Sequence, residues 1–251
     1  MSGFSVAGMD ITTQTALVTG ANRGLGRYFV SELLNRGVAK VYATSRRPEP
    51  STDPRVVSLP LDVTDEQAVD DLARVAPDVT LLINNAGVAT LSSFLGGDLA
   101  DARQEMEVNY WGSLHTIRAF SPILTANGGG AILNVLSQSA FRAFGFADTY
   151  GAAKAAAWQL TNGVRLELAD RGTQVTGLAM ALVDTEMSAW AKEEGWPLAD
   201  PAEIVRAGLD GLEAGALEVY GDEITRQWRA RLGESVEQLY PQAVPIQEAS
   251  A

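Results

Sequence analysis

Thr15-Ala16-Leu17-Val18-Thr19-Gly20-Ala21-Asn22-Arg23-Gly24-Leu25-Gly26 decides the architecture of this 251-residue chain. Thr15–Thr19 is a short apolar run that ends in glycine, and from Leu25 to Asn35 apolar residues recur at helical spacing until Gly37 stops them. Glycines at a strand-to-helix junction permit a tight turn, close approach of backbone to a pyrophosphate, and close packing of helix on strand. The helix start adds free N–H groups and the positive end of a dipole. Glycine makes up 24 of 251 residues, so the pattern alone is weak and also fits an ordinary turn. Its position after the first strand is the context that marks a dinucleotide cradle.

Outward from this stretch, strand-like and helix-like segments alternate. Val38–Ser45 and Val56–Leu61 read as strands, Glu66–Val75 has helical spacing, and Val79–Asn84 is a near-continuous apolar strand. A long helix is expected from about Asp101 to Leu124, ended by Asn127-Gly128-Gly129-Gly130. Ala131–Leu136 is strand-like, Ala152–Ala169 is a second long helix with Gly172 beyond it, Gln174–Leu182 follows as a strand, and Ala216–Tyr220 is a short last one. Strands apolar on both faces, alternating with helices, imply a parallel sheet covered on both sides. The expected fold is α/β: a doubly wound, Rossmann-type parallel sheet of about seven strands with helices on both faces. No linker or repeat divides the chain, so residues 1–251 are expected to form a single domain, with a loose tail over about 240–251.

Composition excludes several functions. There is no cysteine, which removes disulfides, iron–sulfur clusters and thiol catalysis. His115 is the sole histidine, so a multi-histidine metal site is impossible. No Asp-rich loop of the calcium-binding kind is present, and no metal is expected. A net charge of −12 argues against nucleic acid. Met1–Thr13 lack the basic start and long apolar core of a signal peptide, and no apolar run reaches the ~18 residues of a membrane span. A cytoplasmic protein with no membrane partner is the expectation.

About 20 residues beyond the glycines, an acid accepts from a ribose 2′-hydroxyl whereas arginine suits a 2′-phosphate. Here the end of the second strand reads Ala43-Thr44-Ser45-Arg46-Arg47, with no acid, and Arg23 in the glycine turn supplies a further cation. Guanidinium pairs with phosphate in a bidentate fork. NADPH/NADP is therefore the expected cofactor, against the bland alternative that all three arginines are solvated surface charges.

Chemistry is suggested by Tyr150 and Lys154. The chain has three lysines and six tyrosines, so a tyrosine four residues before a lysine arises by chance in roughly 7% of such compositions. On a helix the two lie on one face. An ammonium beside a phenol favours phenolate and lowers its pKa, which suits a proton donor to a carbonyl oxygen.

With the glycine turn and Tyr150-xxx-Lys154 in one chain, the sequence resembles the short-chain dehydrogenase/reductase family from Thr15 to about Tyr220. The stretch Thr19 to Gly26 is similar to that family's cofactor turn, with Gly20, Asn22, Arg23, Gly24, Leu25 and Gly26 as cofactor contacts. Asn84-Asn85-Ala86-Gly87 matches its Asn-Asn-Ala-Gly motif, and Leu61-Asp62-Val63 resembles its adenine-contacting segment. Ser137 stands thirteen residues before Tyr150, and Asn109 falls in the long helix that carries the family's catalytic asparagine. The resemblance implies that Tyr150 is the acid/base and that Lys154 lowers its pKa and holds the nicotinamide ribose. It implies that Ser137 fixes the substrate oxygen and that Asn109 holds a relay water. The nicotinamide supplies the hydride, and the protein binds, orients and protonates. His115, about 1.7 turns past Asn109, is left to packing.

The resemblance breaks at one place. Aligning on Val183-Asp184-Thr185, where Val183 and Thr185 keep the nicotinamide contact, puts Met180-Ala181 where relatives carry Pro-Gly. Ala181 adds a Cβ where glycine allows close approach. The segment of about 185–202, with Met187, Trp190 and Trp196, corresponds to a substrate lid, and Phe141, Phe144 and Phe146 lie on the loop before Tyr150. An apolar cleft for a bulky or aromatic carbonyl or alcohol is expected. Relatives assemble through the two long helices, and the small residues Ala152, Ala153, Ala155, Ala156 and Ala157 suggest a homotetramer or homodimer. The other readings are a non-catalytic NADP(H)-binding regulator and an epimerase or dehydratase. The former needs neither Ser137 nor Tyr150, and the latter has an added substrate domain that this length does not accommodate.

Overall fold

The computed structural model describes residues 8–243. The strand β1 (Thr15–Thr19) leads through the glycine turn into α1 (Gly24–Asn35), then β2 (Lys40–Ser45), β3 (Val56–Pro60), α2 (Glu66–Val75) and β4 (Leu81–Asn84). The second half runs α3 (Leu99–Met106), a π-helical segment Glu107–Trp111, α4 (Gly112–Ala126), β5 (Gly130–Val135), α5 (Asp148–Glu167) and β6 (Thr173–Ala179). It ends with α6 (Ala189–Glu193), α7 (Pro201–Glu213), β7 (Glu218–Tyr220), α8 (Glu223–Ala230) and α9 (Val236–Leu239).

The seven strands form one sheet in the order β3-β2-β1-β4-β5-β6-β7, and every pairing is parallel. Side chains alternate across a strand, and β1 makes this visible: Ala16 and Val18 join one core, Leu17 the other. On the first face Phe29 and Leu33 of α1 meet Ile204, Val205, Leu209 and Leu212 of α7. On the second, Val69 and Leu72 of α2 lie with Ile117, Phe120 and Leu124 of α4 and Val164 of α5. Each fully buried Leu or Phe contributes about 1.5–3 kcal/mol. The strand order reverses between β1 and β4, and ligands of such sheets bind outside the carboxyl ends of the strands at that point.

Four helices, α6 to α9, lie outside the helices read from the sequence. The start of α7 is marked by Asp200, whose carboxylate accepts from the N–H groups of Ala202 and Glu203, with Pro201 in the first turn. That is an N-cap followed by a pre-organised proline, a legible start signal. Helix α8 is capped by Asp222, which accepts from Thr225 N–H. The expected loose tail needs correction over 240–243: Tyr240 Oη accepts from Ala143 N–H at 3.1 Å, so this part docks on the loop before α5. Residues 244–251 of that expectation, and residues 1–7, lie outside the described residues. Among the described residues no helix is long and apolar enough to cross a membrane.

Candidate active site

The glycine turn is built by its neighbours. Thr19 Oγ1 accepts from the N–H groups of Asn85 and Ala86, both at 3.0 Å. Asn85 Nδ2 donates to the carbonyls of Thr19 and Gly20 at 2.9 and 3.1 Å. Ala21 N–H donates to Thr44 O at 2.9 Å, and Asn22 Nδ2 donates to the Arg47 carbonyl, so the turn is tied to the end of β2. Gly20 and Gly24 have φ of 65° and 50°, a left-handed region in which a side chain is strained. Gly26 allows the helix to approach: a Cβ there would lie 2.0 Å from Gly20 O. Arg23 precedes α1 with extended backbone and no side-chain cap, and no acid stands in the first turn, so those N–H groups lack a side-chain partner. A cradle of this shape, too tight for a Cβ and ending in an uncapped helix, fits a pyrophosphate.

Around it, Gly24, Arg27, Tyr28, Asp184, Thr185 and Glu186 line a cleft of about 210 Å³. Thr185 and half-buried Leu25 thus flank the turn, and Val183 is held by a bridge to Ala199. Arg23 and Arg46 are exposed and form no ion pair among the described residues. Beside Arg46 the buried Ser45 Oγ has no hydrogen-bond partner. Asp62 is exposed, and its Oδ1 accepts from the N–H and hydroxyl of Thr64 at 3.0 and 2.8 Å. Val63 is buried, and its carbonyl is 3.1 Å from His115 Nδ1, which places the sole histidine in packing as expected.

The acid/base candidates converge behind Gly87. A Cβ at Gly87 would sit 2.9 Å from Asn109 Oδ1 and 3.7 Å from Lys154 Nζ, so a side chain there would press on the asparagine. Asn109 is buried at the centre of the π-helical segment; its Nδ2 donates to the carbonyls of Val88 and Glu105 and its Oδ1 accepts from Val88 N–H. A π-bulge inside a helix is frequent at functional sites. Ser137 Oγ accepts from Ser139 N–H at 3.1 Å, which holds the hydroxyl at the end of β5. Lys154 is buried, and its Nζ donates to Val135 O at 2.9 Å and lies 5.7 Å from the Tyr150 ring centroid. Burial lowers the Lys154 pKa to about 8. Burial pushes the Tyr150 phenol up to about 12, with the Ser137 hydroxyl pulling down and the Glu105 charge adding to the rise. Part of the Tyr150 side chain still meets solvent, which tempers that rise.

A buried polar network fixes the helices that carry these groups. Thr116 Oγ1 on α4 donates to Asn84 Oδ1, Asn84 Nδ2 to Asn134 Oδ1, and Asn134 Nδ2 to Thr161 Oγ1 on α5, all within 2.7–2.9 Å. Satisfied buried networks of this kind hold one arrangement.

A family model described as short chain dehydrogenase matches residues 14–195. The chain belongs to the short chain dehydrogenase family. A short chain dehydrogenase from Burkholderia cenocepacia J2315, solved in complex with NADP, is 41% identical with a TM-score of 0.87, covering 94% of this chain and 100% of that one. A short-chain dehydrogenase from Streptomyces avermitilis has the same fold, with a TM-score of 0.81 and 24% identity over 92% of this chain and 96% of that one. An uncharacterized oxidoreductase of Staphylococcus saprophyticus is 30% identical over 219 residues, 82% of this chain and 93% of the relative.

Within this short chain dehydrogenase, two expectations need correction. Phe141 is core, against Trp158 at 5.2 Å, whereas Phe144, Phe146, Trp190 and Trp196 form a chain of edge contacts at 5.8, 5.8 and 6.4 Å. Ala153 and Ala157 are buried inside the protomer and cannot meet another subunit, unlike Ala152 on the exposed side of α5. At the break in the family pattern, Met180 joins the core, Gln138 N–H donates to its carbonyl, and Ala181 N–H donates to Asp222 Oδ2 at 2.6 Å. The cap of α8 thus secures the segment that Pro-Gly occupies in relatives.

A second cleft, about 520 Å³, is lined by Leu91 and Phe146 but also by Thr90, Ser92, Asp98 and Asp101. It is more polar than the aromatic residues of the sequence suggested. Sequence reasoning also missed Glu105 and Thr90. Glu105 is the one buried residue of α3, and an acid one helical turn before Asn109 on the inward face was its signal.

Proposed function

We propose that the chain is an NADPH-dependent carbonyl reductase that transfers a hydride between nicotinamide and a ketone or secondary alcohol, with Tyr150 as acid/base. The observation that carries this reading is the convergence of Ser137, Tyr150, Lys154 and Asn109 at the carboxyl ends of β4 and β5. Bound NADPH supplies the hydride. The glycine turn and the first turn of α1 would hold its pyrophosphate, and Arg23 and Arg46 its 2′-phosphate. Asp62-Val63 would meet the adenine, and Asn85-Ala86-Gly87, Val183 and Thr185 would border the rest. NADP in the 41% identical Burkholderia relative and the unpaired arginines support this choice.

At the reacting carbonyl, Ser137 Oγ donates a hydrogen bond to the substrate oxygen, and Tyr150 Oη delivers the proton. A phenol raised in pKa stays protonated through the neutral range and favours reduction over oxidation. Lys154 and Asn109, both beside Gly87, return a proton toward Tyr150 through the cofactor ribose and a water. Aromatic side chains over 185–202 support a bulky or aromatic carbonyl, and residues 185–202 act as the lid of a single catalytic domain. Asp98 and Asp101 beside the larger cleft disfavour anionic substrates. The proposed assembly is a homotetramer or homodimer through α4 and α5, where Trp111, just before α4, and Leu166 of α5 are 41% and 80% exposed.

The test is NADPH oxidation with a panel of aryl, aliphatic and keto-acid carbonyls, with NADH in parallel. Turnover of bulky ketones with NADPH is expected. Tight NADPH binding without any turnover would sink the reductase in favour of a binding protein, and keto acids as the best substrates would sink the pocket reading. Arg46→Ala is expected to raise the KM for NADPH about 10- to 100-fold and leave that for NADH unchanged, since a charge-assisted phosphate bond contributes about 1.5–3 kcal/mol. An equal effect on both cofactors would remove Arg46 from the 2′-phosphate.

A further inference from the structure

Glu105 has no part in the chemistry described so far, yet it is fully buried. A carboxylate is almost never fully buried unless partners compensate its desolvation. Its Oε1 accepts from Thr90 N–H at 2.7 Å and from Thr90 Oγ1 at 2.8 Å. Its Oε2 has no hydrogen-bond partner, and an orphaned buried oxygen in a folded protein calls for a reason. Its backbone carbonyl accepts from Asn109 Nδ2 at 2.9 Å, so the same residue touches the asparagine of the site.

The residue Glu105 grips is followed by strained backbone. Leu91 has φ of 58°, the one positive φ outside glycine among the described residues. A branched side chain there costs energy, and such strain persists where neighbours over-determine it. Here Thr90 is fixed on one side by Glu105, and Ser92 O on the other accepts from the N–H and hydroxyl of Thr149, the residue before Tyr150. Thr90, Leu91 and Ser92 all line the larger cleft.

We propose that Glu105 is a positioning residue of this site, its carboxylate fixing the strained Thr90–Ser92 turn against the cleft and, through Ser92 O, against Thr149 at the start of the helix that carries Tyr150. The inference rests on the reductase reading above. Thr149 immediately precedes Tyr150 on α5, so the turn that Glu105 grips is tied to the residue beside the proton donor.

The experiment compares Glu105→Gln, Glu105→Ala and Tyr150→Phe. Gln keeps an acceptor for Thr90, so its ketone KM is expected to stay within about twofold of wild type. Glu105→Ala frees Thr90 and is expected to raise the ketone KM roughly tenfold, with kcat and NADPH affinity within about twofold of wild type. An unmoved ketone KM in Glu105→Ala, or a KM in Glu105→Gln raised as far as in Glu105→Ala, would overturn the proposal. Failure of Glu105→Gln to fold would overturn it as well, by making the carboxylate structural. Activity retained in Tyr150→Phe would sink the reductase reading itself, a result separable from an unmoved KM in Glu105→Ala.

Discussion

Tyr150→Phe is expected to lower kcat for ketone reduction by about 100- to 10,000-fold with little change in NADPH affinity, as general acid catalysis typically contributes that much. The phenyl ring keeps the packing of the side chain, so the loss isolates the proton. The neighbouring groups are otherwise engaged: Lys154 Nζ donates to Val135 O, Asp148 accepts from the loop N–H groups of Phe144 and Gly145, and His115 Nδ1 meets Val63 O. The direction of the phenol pKa adds a pH signature. With the phenol raised toward 12, reduction should hold through pH 7 to about 9, whereas alcohol oxidation, which needs phenolate, should keep rising over that range. Stopped-flow single turnover in both directions would measure it. A reduction rate within threefold of wild type in the variant would remove Tyr150 from the chemistry.

Gly26→Ala is expected to destabilise the protein by about 3 kcal/mol and to abolish measurable cofactor binding. The added Cβ would lie 2.0 Å from Gly20 O and 2.7 Å from Asn85 Nδ2. Neither neighbour can yield, because Gly20 O is held by Asn85 Nδ2 and Asn85 is in turn pinned by Thr19. Helix α1 must therefore lift from the turn, which moves its first N–H groups away from where a pyrophosphate would lie. Thermal denaturation should fall by about 6–12 °C for a chain of this size, and NADPH should no longer raise it. A variant with wild-type melting and intact NADPH protection would refute the account of the cradle. The two variants separate binding from chemistry: Tyr150→Phe keeps the first and loses the second, and Gly26→Ala loses both.

Much of the architecture was legible because each strand carries its own evidence. Val79–Asn84 and Ala131–Leu136 are apolar on both faces, and a strand buried on both faces can only be interior to a covered sheet. Glu66–Val75 coincides with α2 at both ends because Asp65 caps its start and its apolar spacing ends at Val75. Helix α7 carried a comparable start signal in Asp200-Pro201 and went unread. The start of α5 at Asp148 rather than Ala152 was not readable: its cap residue Ala147 makes no side-chain bond.

Residue identities and spacing alone were enough to determine the parallel sheet, the glycine cradle, the absence of an acid at the end of β2, and the pair Tyr150 and Lys154, whereas Ser137 and Asn109 came from the family resemblance. The former depend on local periodicity and on side-chain chemistry, which a linear chain displays. What tertiary structure decided is how those groups feel one another. Lys154 is buried with its Nζ donating to Val135 O, and burial pushes the Tyr150 phenol up. Phe141 looked like a pocket wall and is core, and Glu105, which the sequence did not single out, is fully buried beside Asn109. Burial and electrostatic partners depend on distances between residues far apart in the chain, so only the folded packing of α3, α5 and the turn after β4 could fix them.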